Sequence, residues 1–185
     1  MSAAALSPTI LLVDGYNVIG AWSHLQELAL QAQMDLARLQ LVESLASYTA
    51  FRNYQTTVVF DAYGQATPVT QECSPSGIQI VYTSYGETAD TWIERWCAQG
   101  SRPARRVRVA TSDRVQQLVV GGYGAEWLSA QQLLEEVTTT ARDIRRTRPR
   151  QQRPIPRGIH GYLDSSTLNR LAQWRITGQD PRQIP

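Results

Sequence analysis

The sequence predicts an α/β domain, a three-layer sandwich with a central, mainly parallel sheet between helices. Three observations carry this reading. Five short apolar segments look like strands, amphipathic stretches separate them, and an aspartate stands at or just past the end of several.

The strand segments are Ile10–Val13, Thr57–Phe60, Ile78–Tyr82, Val107–Ala110 and the weaker Ala125–Leu128. The first four are rich in Val, Ile, Leu and Tyr and alternate little, as strands buried on both faces do. Between them, Asp35–Phe51 sets Leu36, Leu39, Val42, Leu45 and Ala46 on one helical stripe. Thr88–Ala98 repeats Ala89, Trp92, Ile93 and Trp96 at helical spacing, and Arg114–Val120 and Ala130–Val137 are two further helices. Gly121-Gly122-Tyr123-Gly124 follows a helix rather than a strand, so it reads as a helix stop and turn, not a phosphate loop. In the stretch Arg145–Arg157, Pro and Arg together disfavour a persistent helix after Thr147, and the segment reads as an extended arm. A last helix is expected from Ser165 or Ser166 to about Ile176, with Leu168, Leu171 and Trp174 on one face. The expected division is an α/β domain over residues 1–142. Residues 143–185 then form a basic arm and a C-terminal helix packing on the same domain.

Composition narrows the function. Of 185 residues, 42% are hydrophobic, enough to build a core. No apolar run approaches the roughly 20 residues of a membrane span, and Met1–Thr9 lacks the features of a secretory signal. A cytoplasmic protein without membrane attachment is the expectation. Cys73 and Cys97 match no metal or redox spacing and read as reduced structural thiols. All 18 basic residues are Arg. Without Lys, the chain cannot carry a P-loop, a Schiff-base centre or a protein-kinase site. Residues 1–141 hold 8 Arg against 13 acids, a net of −5, whereas residues 142–185 hold 10 Arg against 3 Asp, a net of +7. That asymmetry points to a polyanionic partner such as a nucleic acid, with phosphate contacts expected at Arg145, Arg146, Arg148, Arg150, Arg153 and Arg157.

The chemistry lies with the aspartates. Asp14 ends the first strand, Asp61 ends the second, Asp113 follows the fourth, and Asp90 opens the helix after the third. In a parallel sheet all strand carboxyl ends lie on one edge, where ligands bind. Four carboxylates gathered there repel one another unless cations neutralise them. Hard oxygen ligands without a Cys or His set suit Mg²⁺ or Mn²⁺. Glu94, one helical turn after Asp90, is a candidate fifth ligand. Asn17, three residues after Asp14, is placed to orient Asp14 or to meet a phosphate. His24 and His160 fall outside these motifs, which disfavours a His-based ribonuclease. A phosphatase would want Asp-x-Asp after a strand, and a receiver domain would want a Lys.

The segment Ile10-Leu11-Leu12-Val13-Asp14-Gly15-Tyr16-Asn17-Val18-Ile19-Gly20-Ala21-Trp22 resembles the opening motif of the YacP-like NYN-domain family, within the PIN-like superfamily. Val59-Phe60-Asp61-Ala62, Glu87-Thr88-Ala89-Asp90 with Ile93-Glu94, and Val109-Ala110-Thr111-Ser112-Asp113 match it in the same order. Leu168–Arg175 resembles its C-terminal helix. The likeness covers roughly residues 9–178. It implies a PIN-like, Rossmann-like fold and endoribonuclease activity on single-stranded RNA. Asp14, Asp61, Asp90 and Asp113 then stand at the family's acidic positions and Asn17 at the Asn of its first motif. One branch of the family is ribosome-associated and cuts messenger RNA, so the ribosome is an expected partner. The competing reading is a non-catalytic RNA- or ribosome-binding module with the same fold.

Overall fold

Ile10-Leu11-Leu12-Val13 offers no polar side to water, and it becomes the middle of the sheet. In the computed structural model, which describes residues 8–62, 69–99 and 106–147, strand β1 (Thr9–Asp14) pairs in parallel with β2 (Tyr54–Phe60) on one side. On the other side it pairs in parallel with β5 (Val107–Ala110). β4 (Gln79–Tyr82) extends the sheet beyond β2, and β6 (Glu126–Leu128) extends it beyond β5, both in parallel. A short edge strand, β3 (Thr70–Cys73), runs antiparallel to β4. The strand order is β3-β4-β2-β1-β5-β6. The mainly parallel sheet is therefore as expected, and the β1 and β5 ends are neighbours.

Residue parity on the strands separates two hydrophobic layers. Leu11, Val13, Val58 and Phe60 face helices α1 (Gly15–Ala21), α2 (Ser23–Leu30) and α3 (Met34–Arg52), with Ala130 and Leu133 of α6 (Ala130–Thr147). Ile10, Leu12, Val59, Val81 and Val109 face α4 (Ala89–Gln99) and Val120 of α5 (Arg114–Gly122). Among the described residues, no helix is long and apolar enough to cross a membrane.

Four details differ from the sequence reading. The stretch after Asp14, for which the sequence reading gives no helix, is two helices, α1 and α2. Asp14 caps α1, and Val18, Ile19, Trp22 and Leu25 are all buried. The Trp22 indole donates to the Ala130 carbonyl at 2.8 Å and ties α1 to α6. The buried stripe of α3 runs through Ala37, Leu41, Leu45 and Tyr48, while Leu36 and Leu39 are exposed. Strand β3 was not foreseen; all four of its side chains are exposed, so it has no apolar signature. Finally, α6 continues through Thr147, which places Arg145 and Arg146 on its last turn rather than in an extended arm. Cations there suit the negative end of the helix dipole. Arg148, Arg150, Arg153, Arg157 and the helix expected near Ser165 lie outside the described residues.

Cys97 is buried in the α4 layer, and Cys73 is exposed on β3.

Candidate active site at the carboxyl edge of the sheet

The β1 end is shaped by its neighbours. Gly15 follows Asp14 because the Phe60 ring occupies the space where a Cβ would stand; any larger residue would push that ring aside. The chain can then turn at once into α1. The Asn17 amide donates to Asp14 Oδ1 at 3.0 Å, so the first turn of α1 holds the carboxylate. The side chain of Asn17 does something different. Its carboxamide oxygen accepts from the Ser112 amide at 2.8 Å, which fastens the turn after β1 to the turn after β5. Asn17 thus links Asp14 to the residue before Asp113.

Asp113 caps α5, accepting from the Val115 and Gln116 amides at 2.7 and 3.2 Å. Asp61 reaches across to α4 and accepts from the Ala89 amide. Both carboxylates sit at helix N-termini, where the dipole favours negative charge. Asp90 lies in the first turn of α4. It interacts directly with Asp14, and the charges of Asp61 and Asp113 bear on it as well. All four predicted aspartates are therefore brought together electrostatically, with Asp90 as their common neighbour.

The consequence is visible in their acidity. Asp14 is only 8% exposed. Burial above all, and then the neighbouring Asp90 and Asp61 charges, push its carboxyl up to about 7, although the Asn17 amide pulls the other way. Burial and the charges of Asp113 and Asp61 also raise Asp90 above the ordinary carboxylate range. A buried Asp90 oxygen, Oδ1, has no hydrogen-bond partner among the described residues. One orphaned oxygen among mutually repelling hard-oxygen groups fits the chemistry of a divalent cation. As the side chains stand, no three of the described His, Cys, Asp or Glu residues are grouped closely enough to hold one. Asp61 and Asp113 each use Oδ1 to accept from helix amides.

The remaining candidates separate cleanly. Glu94 lies half-buried one turn beyond Asp90, and its charge bears on Cys97 in the α4 layer. Glu87 is committed to Ser84 and to an ion pair with Arg95. Ser112 accepts from the Ala130 amide through its hydroxyl and belongs to the scaffold. Sequence reading passed over Tyr16 and Arg38. Arg38 Nε and Nη2 donate to the Tyr16 hydroxyl at 3.1 and 2.6 Å, beside the acidic edge. The Tyr within Asp14-Gly15-Tyr16-Asn17 was the only hint of that contact.

Comparison with known proteins agrees with this fold. The sequence model of the YacP-like NYN domain matches residues 11–176. The chain is 34% identical over 166 residues to an uncharacterized protein, YacP, of Bacillus subtilis strain 168, covering 90% of this chain and 96% of that protein. The crystal structure of Rae1 (YacP) from Bacillus subtilis superposes with a TM-score of 0.66 at 34% identity, covering 93% of this chain and 97% of that one. A tryptophan-to-leucine mutant of the same protein gives a TM-score of 0.64 at 37% identity, over 75% of this chain and 80% of that one.

Proposed function

The chain belongs to the YacP-like NYN domain family, and from that premise we propose that it is a metal-dependent endoribonuclease that hydrolyses phosphodiesters in single-stranded RNA. The observation that carries this reading is the convergence of Asp14, Asp61, Asp90 and Asp113 at one sheet edge. There the Asp14 carboxyl is pushed up to about 7, and Asp90 Oδ1 has no hydrogen-bond partner among the described residues. A set of acids so poorly neutralised is costly, and it would repel RNA, unless a cation completes it.

Asp14, Asp61, Asp90 and Asp113 would hold Mg²⁺ or Mn²⁺, with Glu94 one turn further along α4. A divalent ion bound there supplies Lewis-acid stabilisation of the phosphoryl oxygens and makes a bound water more acidic. The chain's own part is positioning. Asn17 locks the turns that carry Asp14 and Asp113, and the α1, α4 and α5 N-termini hold three carboxylates in place. Messenger RNA engaged on the ribosome, in the cytoplasm, is the setting we infer from the family resemblance.

The test is incubation of single-stranded RNA with the protein over rising Mg²⁺ or Mn²⁺. Internal cleavage should appear with the metal, stop in excess chelator and return when metal is restored. Cleavage undiminished by chelator would refute the metal requirement. RNA bound with saturating metal but never cut would favour the non-catalytic binding module, which the basic charge of residues 142–185 also suits.

The basic stretch is assigned to RNA backbone, not to chemistry. Replacing Arg145, Arg146, Arg148 and Arg150 with Gln should raise KM and flatten the dependence of log affinity on log salt by up to about 3. The rate on saturating RNA should hardly change, because these contacts serve ground and transition state alike. Equal salt slopes for wild type and variant would remove the stretch from the RNA interface.

A further inference from the structure

On the α3 side of the same sheet edge lies a second convergence that the acidic centre does not use. Arg38, near the start of α3, lays its guanidinium over three rings. It is 5.5 Å from the Tyr16 centroid and 5.9 Å from those of Phe60 and Tyr82. Its Nε and Nη2 donate to the Tyr16 hydroxyl, and its Nη1 to Asp35 at 2.5 Å. The guanidinium plane is thereby fixed, yet the side chain stays 24% exposed. It walls an open cleft of about 360 Å³ between α3 and the β3–β4 pair. Ile80, Tyr82, Asp35 and Glu72 are among the residues that line it.

The placement relates this cleft to the acidic centre. Tyr16 follows Asp14 by two residues, and Phe60 immediately precedes Asp61. Neighbouring strand residues point to opposite faces, so the Phe60 ring lies on the α3 side while Asp61 serves the α4 side. A strand of RNA drawn across the carboxyl edge passes both. Single-stranded RNA is read by unstacking its bases onto aromatic rings or Arg planes and by hydrogen bonds to their Watson–Crick edges.

The geometry points to a nucleobase pocket: the cleft bounded by Arg38, Ile80, Tyr82 and Glu72 receives an unstacked base next to the scissile phosphate, and favours guanine. This rests on the RNA-cleaving reading of the acidic centre. The volume suits one planar heterocycle, at the small end of ligand pockets. Arg38 supplies a flat cationic wall for stacking. Guanine offers N1–H and N2–H side by side to a single carboxylate, here Glu72. Uracil flanks its one N–H with two carbonyls and would turn lone pairs toward Glu72. A phosphate is the wrong occupant, because Asp35 already neutralises Arg38 and Glu72 adds a further negative charge.

The experiment is a single-base scan. Short RNAs differing only by G or U at each position around the cleavage site are assayed in two ways. Binding to the full chain is measured in chelator, and kcat/KM is measured with Mg²⁺. At one position the wild type should prefer G by about 10-fold or more in both assays. Glu72→Gln, at an exposed edge position, should leave the melting temperature unchanged and reduce that preference to within about 3-fold. Arg38→Met should weaken all the RNAs about equally, by roughly 10-fold, since it removes stacking rather than edge recognition. A preference within about 2-fold at every position, or one that survives Glu72→Gln, would overturn the pocket. Cleavage without preference sinks the pocket and leaves the nuclease reading standing. A Glu72-dependent preference in binding, with no RNA ever cut, does the reverse. Failure to bind or cut any RNA sinks both.

Discussion

Asp14→Asn is expected to lower RNA cleavage by on the order of 10²–10³-fold, the scale on which a lost electrostatic group costs an active site, while stabilising the metal-free protein at pH 8. The two effects share one cause. Asp14 is held among like charges in a buried position, and its carboxyl rises from 3.8 to about 7. A folded-state value above the unfolded one contributes stability that is complete below 3.8 and is lost as pH rises through about 7. That span corresponds to at most about 4 kcal/mol; because Asp90 shares in it, one substitution recovers less. Asparagine keeps the oxygen that accepts from the Asn17 amide, so the α1 cap survives. The check is thermal unfolding in chelator at pH 5 and pH 8, beside RNA cleavage with Mg²⁺. Wild type should melt lower at pH 8 than at pH 5 and regain stability when Mg²⁺ or Mn²⁺ is added. The Asn variant should show a smaller pH decline and a smaller metal response. Wild-type cleavage by Asp14→Asn would remove this residue from the reacting centre, and a pH-independent melting temperature in wild type would refute the crowding of its carboxylates.

Arg108→Ala is expected to destabilise the fold by about 2–4 kcal/mol, a fall in melting temperature of roughly 5–15 °C, without altering kcat of the folded fraction. Arg108 rises from β5 and clamps Glu136 of α6 with two bonds, 3.0 and 2.9 Å long. The same guanidinium donates to the Tyr48 and Tyr54 hydroxyls at 3.2 Å, and Tyr48 donates to Glu136 at 2.5 Å. Arg108 and Glu136 are 17% and 30% exposed, so removing the cation strands a half-buried carboxylate. Glu136 is held below its usual range, first by the Arg108 bond. Its share of stability is present above its unfolded value of 4.5 and is lost as pH falls through the folded one. Replacing both partners with apolar residues, Arg108→Met with Glu136→Leu, should recover most of the loss. Chemical denaturation of the two variants at pH 7 measures this. A double variant no better than Arg108→Ala would show that the network's value lies in its charges rather than in avoiding a stranded one.

Both predictions rest on contacts of different legibility. Asp14, Asp61, Asp90 and Asp113 could be read from the sequence because each follows or opens an element with a clear apolar signature. A parallel sheet then brings its strand ends together whatever the loops do. Arg108 with Glu136, 28 residues apart, and Arg38 with Tyr16, 22 apart, carry no such signature. Side-chain pairing across elements depends on which face each helix turns inward, and a one-position error in that phase, such as placing Leu36 and Leu39 on the buried stripe of α3, redirects every contact.

By itself the sequence determined the β1, β2, β4, β5 and β6 cores, the four helices that follow them, and the shared edge of the aspartates. These follow from local periodicity and from the chain reversals that parallel strands require. Only the tertiary structure decided the rest. Gly15–Ala21 became a helix despite its glycines because Asp14 caps it and Val18, Ile19 and Trp22 find a core to enter. The solvent-facing strand β3 exists because β4 offers it an open edge to pair with, not because its residues prefer it. Asn17 was legible as a residue of interest, but its bond to the Ser112 amide, 95 residues away, is made only when β1 and β5 lie side by side. The acidic edge was a matter of local pattern. Its exact spacing, and the aromatic cleft behind it, are products of packing, where free energy depends on which surfaces meet and not on the order in which residues are written.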